Sequence, residues 1–295
     1  MKIEKVSVVV PVYNEEEAIS GDLDVILETM EAAKWEFEVI VVNDASTDGT
    51  ARIVSGYADR GVRLIEHREN RGGGFARNTG IKAASGDVVM VTDGDGTYPN
   101  QDMPRLLEAM EAGDLDMVVG ARTKEAGTMK FLRMRAKWFI RKLAEWLSGF
   151  SIPDLNSGLR AMKKDVFMRF IDILPWGHSW VSTITLAMLA SGYSVDFVDI
   201  DYYSRKGSST FHPLKDTYSY ITLVIRTVTW FNPLKVFMPV SFFLFLLGLG
   251  SLIYQSVVSH YLRLTPSAIT VFIAAVQVFI LGLVADLIVQ RVKSR

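Results

Sequence analysis

Over its first 120 residues the chain alternates short apolar runs with polar, glycine-rich turns, and it ends in two long apolar runs. Val6–Val12 (VSVVVPV), Phe37–Val42, Arg63–Glu66, Val88–Thr92 and Asp116–Gly120 read as strands. Short continuous runs rich in valine and isoleucine, bounded by turn residues, suit strands buried on both faces of a parallel sheet. Between the first two, Ile19, Leu23, Ile26, Leu27 and Met30 recur at helical spacing over residues 17–34. A second helix is predicted over about 75–84, after the loop Arg71-Gly72-Gly73-Gly74. Further helices are expected near 164–174 and 182–191, a strand over 193–203, and an aromatic-rich helix over 214–231. Strands alternating with helices predict an α/β domain, a Rossmann-like, mostly parallel sheet flanked by helices.

The tail follows a different rule. Residues 236–254 (VFMPVSFFLFLLGLGSLIY) carry no charge over 19 positions, and 268–289 form a second such run broken only by Asp286. A 19-residue helix is about 28 Å long, close to the ~30 Å hydrocarbon core of a bilayer. Two transmembrane helices closing a hairpin are therefore predicted. Lys235 flanks one outer end, and Arg291, Lys293 and Arg295 the other, while the thirteen residues between the runs hold a single Arg. The positive-inside rule then places the large domain and the C-terminus in the cytoplasm, as a multi-pass protein of the cell membrane. Asp286 lies about one turn from the basic end, where pairing with Arg291 or Lys293 is expected. No signal peptide is expected, since Met1–Lys5 runs straight into the first strand.

Composition changes this picture in two places. The chain has no cysteine, which excludes disulfides, thiolate metal sites and a cysteine nucleophile. The net charge of −1 conceals a basic stretch, 122–142, with eight Lys or Arg against Glu125 alone. Phe131, Met134, Trp138, Phe139 and Leu143 interleave with these cations, as in an amphipathic helix lying on a membrane surface. The organisation expected is a domain over 1–210, a juxtamembrane helix over 211–235 and the hairpin over 236–295.

The chemistry gathers where strands end. Asp93-Gly94-Asp95 closes the run 88–92, and in open α/β sheets ligands bind beyond the carboxyl ends of strands. Two carboxylates one residue apart suit a hard divalent cation shared with a diphosphate, although Asp-Gly turns also occur without a ligand. Asp44, after the second strand, could accept hydrogen bonds from a nucleobase or cap a turn. The Gly72–Gly74 loop, with Arg71, Arg77 and Asn78, could cradle a diphosphate. There is no P-loop, and no G-x-G-x-x-G opens a helix after a strand, which disfavours Walker-type NTPases and dinucleotide dehydrogenases.

Taken together, these motifs resemble the inverting family-2 glycosyltransferases of GT-A fold, in particular the branch typified by dolichol-phosphate mannose synthase and its bacterial glucosyl relatives. The resemblance rests on Val10-Pro11-Val12-Tyr13-Asn14-Glu15, Val42-Asn43-Asp44 with Ser46-Thr47-Asp48-Gly49, Asn78-Thr79-Gly80, Gly86-Asp87 and Asp93-Gly94-Asp95. It continues through Gly120-Ala121-Arg122, Ser157-Gly158-Leu159-Arg160 and Arg205-Lys206-Gly207-Ser208-Ser209, covering most of residues 6–240. It implies a nucleotide pocket lined by Pro11, Asn14 and Glu15, with Asp44 on the base, Asp93 near ribose and metal, and Arg122 near the phosphates. Asp95, with Asp93, would hold Mg²⁺ or Mn²⁺. The 154–160 loop would form the acceptor side, with Asp154 and Arg160 acting there. Arg160, Arg205, Ser208 and Ser209 would hold a lipid phosphate.

The chain departs from the pattern at Asn43, where the family often has a second Asp, and at Thr97, where some members place a metal-binding Gln. Ser-Gly-Leu-Arg replaces Ser-Gly-Phe-Arg. The Gln-x-x-Arg-Trp motif of processive polysaccharide synthases is missing, which argues against a polymerase. The resemblance implies a metal-dependent hexosyltransferase moving sugar from a UDP- or GDP-sugar to a polyprenyl phosphate. The competing readings are transfer to a lipid hydroxyl and a non-catalytic nucleotide-sugar-binding scaffold. The implied partners are the nucleotide-diphosphate sugar, the polyprenyl phosphate and the membrane, with a homo-oligomeric copy left open and no nucleic acid. Two spans are few for a pore, so a separate flippase is expected to carry the product across.

Overall fold

The computed structural model describes residues 2–123, 149–177, 179–203, 232–259 and 265–293, with nine single positions between 142 and 230. The first strand, β1 (Lys5–Val12), is followed by α1 (Ile19–Glu31), β2 (Glu36–Asn43), α2 (Thr50–Ser55), β3 (Val62–Glu66), α3 (Gly73–Ala83) and β4 (Val88–Val91). Then come α4 (Met103–Gly113), β5 (Met117–Arg122), β6 (Arg160–Lys163), α5 (Lys164–Met168), α6 (Trp180–Ala190) and β7 (Val195–Ile200). Two long helices, α7 (Leu234–Ser259) and α8 (Pro266–Lys293), complete the described chain.

The seven strands form one sheet in the order β3-β2-β1-β4-β6-β5-β7. Pairing is parallel throughout, except that β6 runs antiparallel to both β4 and β5. The mostly parallel sheet expected from the sequence is therefore present. The four residues of β6 were not foreseen as a strand: the run is short, carries Arg160 and Lys163, and pairs only because two partners flank it. Side chains alternate across a strand. Val6, Val8, Val10 and Val12 accordingly enter the core under α1 and α4, while Val9 enters the core under α3 and α6. Ile19, Leu23, Ile26, Leu27 and Met30 are all buried along one stripe of α1, each contributing about 1.5–3 kcal/mol of apolar burial.

The sheet order reverses beside β1: the chain passes from β1 outward to β2 and β3, then returns to β4 on the other side. Such a switch point opens a crevice at the carboxyl ends of the strands. Asp93 and Asp95 stand at the end of β4, beside this crevice.

α7 and α8 pack as a hairpin, joined by Ser241 donating to the Ala275 carbonyl (2.8 Å) and by Phe245 against Phe272. Both are long and apolar enough to cross a membrane, with mean hydropathies of 2.3 and 2.6. They extend beyond the charge-free runs read from the sequence. Their outer faces expose Phe242, Phe243, Leu246, Leu287 and Ile288, a surface suited to lipid rather than water. Asp286 accepts a hydrogen bond from Gln290 (2.6 Å), a partner one turn along the same helix. The basic stretch 124–141, most of the juxtamembrane segment, and Arg205, Ser208 and Ser209 lie outside the described residues.

Candidate active site

The Asp93–Asp95 turn has two unlike carboxylates. Asp93 is ion-paired with the Arg77 guanidinium, which α3 presents from across the crevice. Asp95 is buried, and its Oδ1 accepts the Thr97 hydroxyl (2.6 Å) and backbone N–H (3.2 Å). Thr97 therefore orients Asp95 through both its hydroxyl and its backbone N–H. The donor set is hard oxygen and suits Mg²⁺ or Mn²⁺. Among the described residues no three His, Cys, Asp or Glu converge into a complete metal cage. That fits a cation held by one or two carboxylates and completed by a substrate diphosphate.

At the other end of the crevice, the loop after β1 is laced to the loop after β2. Pro11 is buried in β1, opposite Val42 in the β2 register. Asn14 adopts a positive φ of 54°, accepts the Thr47 N–H (2.8 Å) and donates its own N–H to Ser46 Oγ (3.0 Å). The Glu15 N–H donates to Thr50 Oγ1 (2.9 Å). Asp44 departs from the expectation of a carboxylate open to a base edge. It is 2% exposed, hydrogen-bonded to His67 Nδ1 at 2.7 Å, and accepts the backbone N–H groups of Arg71 and Gly72. Asp44 thus fastens the glycine-rich loop to β2. Arg71 lies over the Phe75 ring (4.5 Å to its centroid), and Phe75 packs edge-on against Trp176.

The 154–160 loop is built on a second ion pair. Asp154 receives Arg122 Nε (2.6 Å) and Nη2 (2.9 Å) in bidentate fashion, and also the Asn156 N–H (3.0 Å). Burial works to raise the Asp154 carboxyl, but the Arg122 contacts outweigh it and hold it below the usual carboxylate range. Asp154 is therefore a weak base, and Arg122 is committed to it while lying over the Tyr202 ring. Gly158 crosses directly against Asp93, and its N–H donates to the Tyr98 hydroxyl (2.6 Å). Burial, reinforced by Asp93, pushes the Tyr98 phenol well above its ordinary range, so it stays protonated.

Arg160 corrects a second expectation. It is 0% exposed and donates to the carbonyls of Ser157 and Val181 and to Thr185 Oγ1 (3.0 Å). Burial, then repulsion from Arg77, brings its guanidinium down to about 10, still charged at neutral pH. With no exposed surface it braces the loop from behind instead of holding a lipid phosphate. Trp180 fills the space between the two arginines, 5.6 Å from Arg77 and 5.9 Å from Arg160, and donates to Asn78 Oδ1 (2.8 Å).

The structure thus unites Asp93, Asp95, Arg77, Gly158, Tyr98 and the Arg122–Asp154 pair at one end of the sheet. Sequence reading passed over Tyr98, Trp180, His67 and Asp22. Of these only Asp22 left a trace in the pattern, as a lone acid three residues after Ile19 and four before Ile26, on the buried stripe of α1.

Comparison with known proteins decides the family. Residues 7–171 match the profile of glycosyl transferase family 2, and residues 232–290 match the GtrB C-terminal hairpin. The chain belongs to glycosyl transferase family 2. As a family-2 member it is similar to a bactoprenol glucosyl transferase of Shigella phage SfV, 30% identical over 294 residues, covering 96% of this chain and 93% of that one. It is also similar to an undecaprenyl-phosphate 4-deoxy-4-formamido-L-arabinose transferase of Proteus mirabilis, 34% identical over 168 residues, 56% of this chain and 51% of that one. Among solved structures, the fold of this glycosyltransferase matches glucosyl-3-phosphoglycerate synthase from Mycobacterium tuberculosis in complex with UDP. The TM-score is 0.59 at 20% identity, covering 76% of this chain and 80% of that one. The same Mycobacterium enzyme has been seen with Mn²⁺, UDP-glucose and phosphoglyceric acid. The GT-A architecture expected from the sequence is the fold observed.

Proposed function

We propose that this glycosyltransferase moves a hexose from a nucleotide-diphosphate sugar to a polyprenyl phosphate at the membrane surface, with inversion at the anomeric carbon. The observation that carries the reading is the apolar hairpin, matched by the GtrB C-terminal hairpin, on a family-2 domain whose relatives are named for undecaprenyl-phosphate and bactoprenol substrates. Residues 1–210 are proposed as the catalytic domain, 211–235 as a juxtamembrane helix and 236–295 as two spans. The basic flanks of the hairpin favour a cytoplasmic catalytic domain.

In the reaction, an acceptor phosphate oxygen forms the new bond to the anomeric carbon as the bond to the diphosphate breaks and nucleoside diphosphate departs. Asp95, with Asp93 beside it, would hold Mg²⁺ or Mn²⁺, which when bound neutralises charge on the departing diphosphate. Pro11, Asn14 and Glu15 line the nucleotide end of the crevice. Arg205, Ser208 and Ser209 are proposed to bind the acceptor phosphate, a task for which guanidinium is geometrically suited. A phosphate is already anionic at neutral pH and needs no strong base. Asp154, held low by Arg122, therefore positions the acceptor loop and is poorly suited to activate a lipid hydroxyl. With no lipid exit to solvent required, the hairpin would keep the acceptor's tail in the bilayer while a separate flippase moves the product.

The test uses purified protein in lipid nanodiscs with Mg²⁺ or Mn²⁺ and a panel of UDP- and GDP-sugars, with and without undecaprenyl phosphate, following nucleoside diphosphate release. Release that requires both lipid phosphate and metal is expected. Lipid-independent release, or nucleotide binding without turnover, would overturn the reading.

A further inference from the structure

Asp22 lies in the first turn of α1, outside every motif that marks the family, and its carboxylate is buried at the back of the Asp93–Asp95 turn. Its Oδ2 accepts the Gly96 N–H (2.8 Å), and its Oδ1 accepts the Asn100 side-chain amide (3.0 Å). Asn100 in turn accepts the Thr92 hydroxyl through its Oδ1 (2.8 Å). Thr92, Asn100 and Asp22 are 0%, 1% and 7% exposed. The chain Thr92–Asn100–Asp22–Gly96 therefore fastens the residue before the two carboxylates and the residue after them to one another and to α1. Gly94, between the carboxylates, is pressed against α1 and β1: a Cβ there would lie 2.9 Å from Ile19 Cδ1 and 2.8 Å from Val12 Cγ1.

We infer that Asp22 and Asn100 are positioning residues that clamp the Asp93–Gly96 turn, fixing Asp93 and Asp95 for the cation and diphosphate before either binds. The clamp stands on this geometry; its consequence for cation binding rests on the reading of Asp95 as the metal carboxylate. Positioning fits better than ligation for Asp22, because both of its oxygens already accept hydrogen bonds and no three ligating groups converge among the described residues. A turn between two strand-end residues is otherwise free to pivot, and placement errors of about 1 Å near reacting groups cost about a hundredfold in rate. A buried polar chain with every member paired is a rigid way to remove that freedom.

The geometry also dictates which substitution should be tolerated. In Asp22→Asn, the new carbonyl can keep the Gly96 N–H. Its amide can donate to Asn100 Oδ1 if the Asn100 amide turns over, and Asn100 then donates to Thr92 Oγ1. Asp22→Leu, of similar size, can replace none of these bonds.

The experiment uses the full chain in nanodiscs and two readouts, hydrogen exchange across residues 93–98 without ligand, and Mn²⁺ titration followed by electron paramagnetic resonance with UDP or GDP present. Asp22→Leu should speed exchange at this segment by about tenfold, the size expected for one lost hydrogen bond, and weaken Mn²⁺ binding to a similar degree. Asp22→Asn should stay close to the parent in both. Asn100→Ala cuts the links to Thr92 and Asp22 but keeps the Asp22–Gly96 bond, so it should speed exchange in the same direction by a smaller factor, and it decides the matter should the leucine variant not fold. Unchanged exchange at 93–98 in a folded Asp22→Leu or Asn100→Ala protein would overturn the clamp. Parent protein that binds no Mn²⁺ would instead overturn the metal reading, while the exchange data still decide the clamp.

Discussion

Gly158 lies so close to Asp93 that a Cβ on it would sit 2.6 Å from the carboxylate Oδ2. Two loops separated by more than sixty residues thus meet at a point where any Cβ would displace the Asp93 carboxylate. The contact joins the Asp93–Asp95 turn to the 154–160 loop, because Gly158 is also fastened to Tyr98 through its N–H. Gly158→Ala must push Asp93 aside or lift the loop. Turnover is expected to fall by about a hundredfold, the usual consequence of a misplacement near 1 Å, with the melting temperature little changed. Parent-like kcat in this variant would show that the contact has no bearing on catalysis.

The two carboxylates of the turn should separate on substitution. Asp95→Ala is expected to abolish nucleoside diphosphate release while leaving folding and membrane insertion intact. Asp93→Ala should also lose activity, and in addition should lower the melting temperature, since it leaves the Arg77 guanidinium buried without its ion-pair partner. Leaving one member of such a pair costs up to about 3–5 kcal/mol. Near-normal turnover by Asp95→Ala would remove the metal role, and an unchanged melting temperature in Asp93→Ala would remove the structural one.

Acid should loosen the 154–160 loop. The Asp154 carboxyl is lowered in the folded protein by Arg122, so the pair adds stability above the ordinary Asp value near 4 and loses it as pH falls through the folded value. Melting curves between pH 7 and 3 should therefore show a decline at the acid end that is shallower in Asp154→Asn, which starts lower at pH 7. Parallel pH profiles for the two proteins would place the acid sensitivity elsewhere.

Arg205→Ala should act on the acceptor. The apparent KM for polyprenyl phosphate is expected to rise by about tenfold or more, the size of one lost charge-assisted contact, with donor KM close to the parent. An unchanged dependence on acceptor concentration would count against Arg205 as a phosphate ligand.

Much of this protein could be read directly from the order of its residues. Valine-rich runs such as Val6–Val12 pair as strands because their side chains suit both faces of a covered sheet, and the stripe from Ile19 to Met30 closes one of those faces. The two apolar runs near the C-terminus formed helices because an 18-residue apolar run has few other ways to satisfy its backbone. The position of Asp93 and Asp95 at the end of β4 was legible because a short valine-rich run followed at once by Asp-Gly-Asp reads as a strand closing in a turn.

What the sequence alone could not determine was which groups neutralise one another. Asp44 looked available to a base until His67 and the N–H groups of Arg71 and Gly72 closed around it. Arg160 looked like a phosphate ligand until β6, a strand too short to be recognised alone, carried it into the core beside Trp180. Asp22 and Asn100 sit 78 residues apart and carry no motif, yet they meet behind the Asp93–Asp95 turn. Local pattern fixes elements because helix and strand periodicity are set by nearest neighbours along the chain. Charge pairing, burial and the clamp on Asp93 and Asp95 depend on distances across the sheet, and those exist only once the tertiary structure has brought the partners together.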